Sequence, residues 1–326
     1  MSISRLHQLP SINQSVAQTR ASLPTQNSLT LQQIQALPPY YGECQIQNGL
    51  GKMYLLGNDC GVSLRLFWNG TYETGSINLW KRLARHANTI FDIGAHTGIY
   101  SIVAGTIWSR HKNLKLYNQP SIHAFEPYIL NAARLSINCK LNSFEKLIRI
   151  NQLAVSSNCK DVQLNVPSVS IDYLSAGPTL GIINNTSQSF NVHSVSIDHY
   201  VNKIQPRIIE NSSKSIPSYD LFKIDVEGHE TKILEGMKKH LAERSCCIIL
   251  ECVQDESTKE SSRILKELGY KFYRINENTK NLTIVDSLNV SRIQEGSSWI
   301  LDRNNLNALC VPRGISKGQL INIIKN

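Results

Sequence analysis

Apolar positions along this chain fall into runs that alternate between two rhythms. "TIFDI" (89–93), "SIHAFE" (121–126), "LIRINQLAV" (147–155), "YDLFKIDV" (219–226) and "CCIILEC" (246–252) are short and mostly apolar, as strands buried on both faces are. Between them stand longer stretches with helical spacing: "GIYSIVAGTIWSRH", "YILNAARLSINCKLN" after Pro127, "ETKILEGMKKHLAE" and "STKESSRILKELGY". Strands separated by helices of about a dozen residues predict βαβ units and a parallel sheet.

The flanks follow other patterns. Residues 1–42 are rich in Gln, Ser and Asn and hold no acid, which predicts a flexible or extended segment. Residues 43–88 form a lead-in. Its pieces "MYLL" and "SLRLFW" are closed by Gly or Asn and predict short strands, and "SINLWKRLARHA" (76–87) predicts a helix after a Ser cap. Residues 160–218 break the rhythm with β-like pieces, "VQLNV" and "FNVHSVSI", among polar turns, and predict an inserted hairpin region. Residues 271–326 predict closing antiparallel strands. The expected architecture is α/β: one domain over 43–326 with its core at 89–270. A mostly parallel twisted sheet carries helices on both faces, an antiparallel C-terminal edge and a β-rich insertion.

Composition narrows the partners. Of 326 residues, 41% are hydrophobic, enough for a packed core, and 34 Lys and Arg against 25 Asp and Glu leave a net charge of +9. The basic residues are scattered and form no dense block, which argues against nucleic acid as the partner. The cysteines make no CxxC pair and no His sits at zinc-finger spacing, so they read as reduced thiols. No run approaches the roughly 18 apolar residues of a membrane span. No charged start leads into a secretory apolar region. A cytoplasmic protein is expected.

Ligands of parallel sheets bind at the carboxyl ends of the strands. The residues there are Asp92, Glu126, Ala154, Asp225 and Glu251. After Asp92, Gly94 and Gly98 turn the chain into a helix whose first N–H groups point at whatever occupies the turn. The spacing lacks the middle glycine of a dinucleotide fingerprint and the Lys of a Walker loop. An acid in the turn would repel a polyphosphate and attract an ammonium or sulfonium. Glu126 is placed to accept the hydroxyl protons of a ribose. Together these acids point to S-adenosylmethionine.

"TIFDIGAHTGIYS", "IHAFEP", "NQLAVSS", "VSIDHYV" and "YDLFKIDVEGHETKILEGM" resemble, in order and nearly in wording, the FkbM-type methyltransferases over roughly residues 70–275. The resemblance implies a Rossmann-like class I methyltransferase fold, S-adenosylmethionine as methyl donor, and O-methylation of a hydroxyl on a sugar, glycolipid or secondary metabolite. It implies that Asp92, Gly94, Ala95 and Gly98 hold the methionine part of the donor. By the same resemblance Glu126 holds the ribose, Ala154 and Val155 edge the adenine, and Glu73, beside Tyr72, belongs to a segment that closes over the donor. The gap from Gly98 to Glu126 is long, with extra residues in "SRHKNLKLYNQP".

Period two puts Lys223, Asp225 and Glu227 on one face. Three charges there need pairing, Lys223 with Asp225, or exposure at the open end of the sheet. A hydroxyl acceptor needs a base. Asp225 is the first candidate, with His229, whose ordinary pKa suits the task, and Glu227 as alternatives. Asp225 and Glu227 could also bind a divalent metal, but no third oxygen ligand is evident, so no metal is expected. Glu251, on the same rim, binds the acceptor or caps the next loop. Two other readings stand beside this one: an RNA-directed methyltransferase, and a non-catalytic S-adenosylmethionine-binding protein.

Overall fold

The computed structural model describes residues 9–22, 33, 36–56, 61–110, 121–167, 180, 186–203 and 217–325. Most of the long loop after Gly98, parts of the 160–218 insertion and parts of the first 42 residues lie outside the described residues.

In chain order the elements are helix α1 (Leu9–Ser22), strands β1 (Tyr41–Gln45) and β2 (Lys52–Leu56), helices α2 (Gly61–Asn69) and α3 (Thr74–Ala84), β3 (Ile90–Ile93), α4 (Ile99–Ser109), β4 (Ile122–Phe125), α5 (Ile129–Leu141), β5 (Ile148–Asn151) and β6 (Ala154–Val155). There follow β7 (Asp161–Pro167), β8 (Thr186–Val195), α6 (Ile197–Val201), β9 (Asp220–Ile224), α7 (Glu230–Glu235), α8 (Lys238–Glu243), β10 (Cys246–Glu251) and α9 (Asp255–Glu267). The chain closes with β11 (Lys271–Ile275), β12 (Leu282–Val285), β13 (Arg292–Glu295), β14 (Ser298–Leu301), β15 (Asn307–Val311) and α10 (Lys317–Lys325).

The main sheet runs β12-β11-β15-β10-β9-β3-β4-β5. Pairings from β5 through β10 are parallel, and those that add β15, β11 and β12 are antiparallel. The chain runs outward from β3 to β4 and β5, then returns to lay β9 on the other side of β3. That reversal opens a crevice at the carboxyl ends of β3, β4 and β9.

The central strands β3, β4, β9 and β10 are four to six residues long and nearly all buried. Alternate side chains feed two cores. Ile90, Ile122, Leu221 and Ile249 pack with Trp80, Ile102 and Leu320 on one face. Phe91, Phe125, Phe222 and Ile248 pack with Ile233, Leu241 and Leu265 on the other. Period two and a helical layer on each face account for strands that read as continuous apolar runs.

Four sequence expectations change. "SLRLFW", expected as a strand, lies within α2, with Leu66 and Trp68 in the core. "LIRINQLAV" is broken: β5 ends at Asn151, and β6 leaves the main sheet to pair in parallel with β8 of the inserted β7–β8 hairpin. "ETKILEGMKKHLAE" divides at Gly236 and Met237 into α7 and α8, and Gly236 sits where a Cβ would lie 2.2 Å from the Ser156 carbonyl oxygen. Residues 317–325, expected within closing strands, form α10, whose Leu320 and Ile323 join the core beside α3.

Candidate active site

The glycine turn is shaped by what presses on it. Gly94 has φ +78°, and a Cβ there would lie 1.8 Å from the Asp225 carbonyl oxygen. Its N–H and that of Ala95 both donate to the Phe125 carbonyl, at 3.0 and 2.9 Å, which ties the turn to the end of β4. Gly98 has φ +94° and a Cβ there would strike Leu135 at 2.1 Å. Gly94 lets the ends of β3 and β9 meet without a side chain between them, and Gly98 leaves room for the Leu135 side chain of α5.

Asp92 does not face the crevice. It is buried, and its Oδ2 accepts from the Ser101 N–H at 2.9 Å and the Ser101 hydroxyl at 2.6 Å. Burial pushes its pKa up to about 6, with the Ser101 bonds opposing. Asp92 thus braces the first turn of α4 against β3. Ala95 and Gly98 also stay out of the cavity lining, and Gly94 and His96 face it.

Glu126 does line the cavity, at 5% exposure. Its Oε2 accepts from the His96 N–H and its Oε1 from the Tyr128 N–H, both at 2.8 Å. Burial raises its pKa, while the nearby His96 and these N–H groups favour the charged form. Two backbone donors therefore fix the orientation of the carboxylate. Ala154 and Val155, with Leu153, form an adjacent apolar wall.

The same cavity is lined by Glu73, Asp225, Glu227 and Glu251. Lys223, 1% exposed on β9, places its ammonium 3.0 Å from Asp225 Oδ2, 3.0 Å from Asn307 Oδ1 and 5.1 Å from the centre of the Tyr100 ring. The ammonium holds Asp225 below the usual carboxylate range against the opposing effect of burial. Glu73 accepts from the Tyr100 hydroxyl and, at 3.2 Å, from Asn307 Nδ2. Its pKa is nonetheless raised, first by burial. Glu251 is raised well above the ordinary value, by burial and then by the charges of Asp225 and Glu227. Its Oε2 is sealed from solvent, and among the described residues no N–H or O–H donates to it.

Asp225, Glu227 and Glu251 each offer an oxygen within 4.8 Å of the others. Glu251 thus offers the third oxygen that the sequence alone did not reveal. The Lys223 ammonium already supplies positive charge beside Asp225. Glu227 itself sits at φ +54°, followed by Gly228 at +103°, with the Gln254 amide donating to the Glu227 carbonyl at 2.9 Å. This tight turn aims the acid back over the sheet edge.

His229 is not brought to the site. It precedes α7, its Nε2 lies 3.0 Å from the Ser156 hydroxyl, and burial lowers its pKa to about 4. Sequence reading also missed Arg65, Arg303 and Leu306, which line the cavity, and Asn307 and Tyr100, which position its acids. Tyr100 lies in the glycine-turn motif on α4, and no local motif marks the others, which arrive from α2, the β14–β15 loop and β15.

The sheet order, its switch at β3 and the glycine turn define a Rossmann-like class I methyltransferase fold. The methyltransferase FkbM domain matches residues 92–272, and the chain belongs to that methyltransferase family. Comparison with curated proteins gives no match. Among solved structures, a methyltransferase FkbM from Methylobacillus flagellatus has a TM-score of 0.36 and 13% identity. The match covers 69% of this chain and 44% of that one. A precorrin-6y C5,15-methyltransferase from Geobacter metallireducens gives 0.39 and 11%, over 74% and 90% of the two chains. An O-methyltransferase from Bacillus cereus in complex with SAH gives 0.36 and 10%, over 93% and 91%.

Proposed function

We propose that this methyltransferase takes S-adenosylmethionine as donor and methylates a hydroxyl on a small molecule or glycan. The reading is carried by one observation: Gly94, Glu126, Ala154 and Val155 line the same cavity as Glu73, Asp225, Glu227 and Glu251. The residues fit such a donor. Each Glu126 oxygen is held by one backbone N–H and keeps a lone pair for a ribose hydroxyl. Leu153, Ala154 and Val155 offer apolar surface to a flat base. The surrounding carboxylates suit a cation and disfavour a polyphosphate. Bound there, S-adenosylmethionine supplies a methyl group activated by a positively charged sulfur.

Removing the acceptor's proton is the task left to the chain. The sequence points to Asp225, but the Lys223 ion pair makes Asp225 a weak base. We assign the proton to the Glu251 carboxylate, which lines the cavity and has the higher proton affinity. A nearby positive charge on a ligand would favour the ionised form that this role requires. Asp225 and Glu227 then orient the hydroxyl, and Glu73, fixed by Tyr100 and Asn307, closes the wall beside it. His229, turned toward Ser156, has no part in this proton transfer.

Calorimetry on the full chain tests the donor assignment: S-adenosylhomocysteine should bind, and Glu126→Ala should weaken it by at least about tenfold. Equal affinity in the variant would remove Glu126 from the donor site. Labelled-methyl transfer to a panel of glycans and small hydroxylated metabolites tests the reaction. Glu251→Gln should lower kcat by roughly 10²-fold or more with donor affinity retained.

A further inference from the structure

Two cations in the cavity wall have no use in the reaction described so far. Arg65, half-buried on α2, and Arg303, in the β14–β15 loop, both line the cavity. They are close enough for the charge of Arg303 to weaken the hold of Arg65 on its proton, in addition to the larger effect of burial. Among the described residues neither guanidinium has a hydrogen bond or an ion pair with a carboxylate. Three other arginines do pair with carboxylates. Arg244 pairs with Asp220 at 2.8 Å, Arg263 with Glu260 and Glu267, and Arg292 with Asp255.

Glu73 is the carboxylate whose charge acts on Arg65. That group accepts instead from Tyr100 and Asn307, and its own surroundings favour the neutral form. Two like charges held together in a half-enclosed wall are unfavourable unless an anion joins them. Guanidinium forks bind phosphoryl and carboxylate oxygens with two parallel N–H bonds each, a geometry that an ammonium cannot reproduce. Arg65 also lies beside Tyr72 and Glu73, whose side chains reach toward Asp225. The arginines therefore border the acid cluster.

We infer that Arg65 and Arg303 form an anion subsite for the methyl acceptor, so that the acceptor carries a phosphoryl or carboxylate group near the hydroxyl that is methylated. The inference rests on the methyltransferase reading for the word acceptor, but the anion subsite itself can be measured without turnover.

The test is calorimetry on the full chain at constant ionic strength, with inorganic phosphate in one arm and acetate in the other. Each titration is run with and without saturating S-adenosylhomocysteine. Saturable binding of phosphate alone identifies a phosphoryl group, and of acetate alone or both a carboxylate-sized anion site. In each case Arg303→Gln and Arg65→Lys should weaken it by about tenfold or more, with the melting temperature of the surface variant Arg303→Gln unchanged. No saturable binding of either anion, or equal binding in Arg303→Gln and wild type, overturns the subsite. Failure of S-adenosylhomocysteine to bind, with anion binding intact, would sink the donor assignment and leave the subsite standing.

Discussion

A side-chain carbon on Gly94 would sit 1.8 Å from the carbonyl oxygen of Asp225, so the end of β3 and the end of β9 meet backbone to backbone. This contact sets the floor of the cavity. It brings the glycine turn and the strand end that carries Asp225 to one place.

Gly94→Ala should therefore destabilise the chain by about 2–5 kcal/mol, the sum of an unfavourable left-handed φ and a steric clash with backbone. Gly296→Ala is the control. Gly296 also has positive φ, +61°, but nothing lies within 4 Å of a Cβ there. It should cost only about 1–2 kcal/mol. Urea unfolding of both variants separates conformational strain from collision. Equal losses would mean that the Gly94–Asp225 approach relaxes freely.

Lys223 and Asp225 give a second prediction. Lys223→Met leaves Asp225 with no counter-charge and Asn307 Oδ1 without that donor, and should cost about 3 kcal/mol. Lys223→Met combined with Asp225→Asn should recover a large part of that loss, since no unpaired charge remains. A double-mutant cycle in urea measures the coupling directly. Additive losses would show that the pair contributes no mutual stabilisation.

How much of this was legible beforehand can be seen residue by residue. The strand at 90–93 is legible because a strand buried on both faces is mostly apolar, here Ile90, Phe91 and Ile93 around Asp92. Glu126 was visible because an acid ending a buried strand has few structural uses. Asp92 looked the same by that rule, yet it turns inward to Ser101, nine residues on, a partner that only the start of α4 can deliver. The segment "SLRLFW" fits alternation as well as helical spacing, and its packing against the first core decides for helix. Arg65 was hidden by that ambiguity. The Lys223–Asp225 pair was one of two open readings of a charged strand. The role of Glu251 depends on that pair, through the parallel register that sets Ile249 beside Lys223 and Leu250 beside Ile224.

His229 supplies a prediction with a defined direction in pH. Its pKa falls from the ordinary 6.5 to about 4, so the unfolded chain takes up a proton before the folded chain does. Its contribution to stability is present above about pH 6.5 and is lost as pH falls toward about 4. His229→Gln should remove that part of the acid sensitivity and leave the pH dependence of methyl transfer unmoved. A shifted rate profile in this variant would return His229 to the reaction.

Glu251 has the opposite sign. Burial and the neighbouring Asp225 and Glu227 raise its pKa well above the 4.5 of an ordinary glutamate. Below that ordinary value the carboxyl is protonated in both states and its stabilising contribution is complete. As pH rises past it, the unfolded chain releases the proton while the folded chain still holds it, and stability falls until the raised value is passed. Glutamine resembles the protonated carboxyl and cannot ionise. Glu251→Gln should therefore match wild type in acid, become the more stable of the two toward alkaline pH, and show a flatter curve of urea midpoint as pH rises above the ordinary 4.5 of a glutamate. On the proposed assignment of Glu251 as the base, the same substitution should abolish the alkaline-rising limb of kcat, which would report ionisation of that carboxyl. A flattened stability curve with an unchanged rate profile would keep the raised carboxyl and transfer the base role to Asp225.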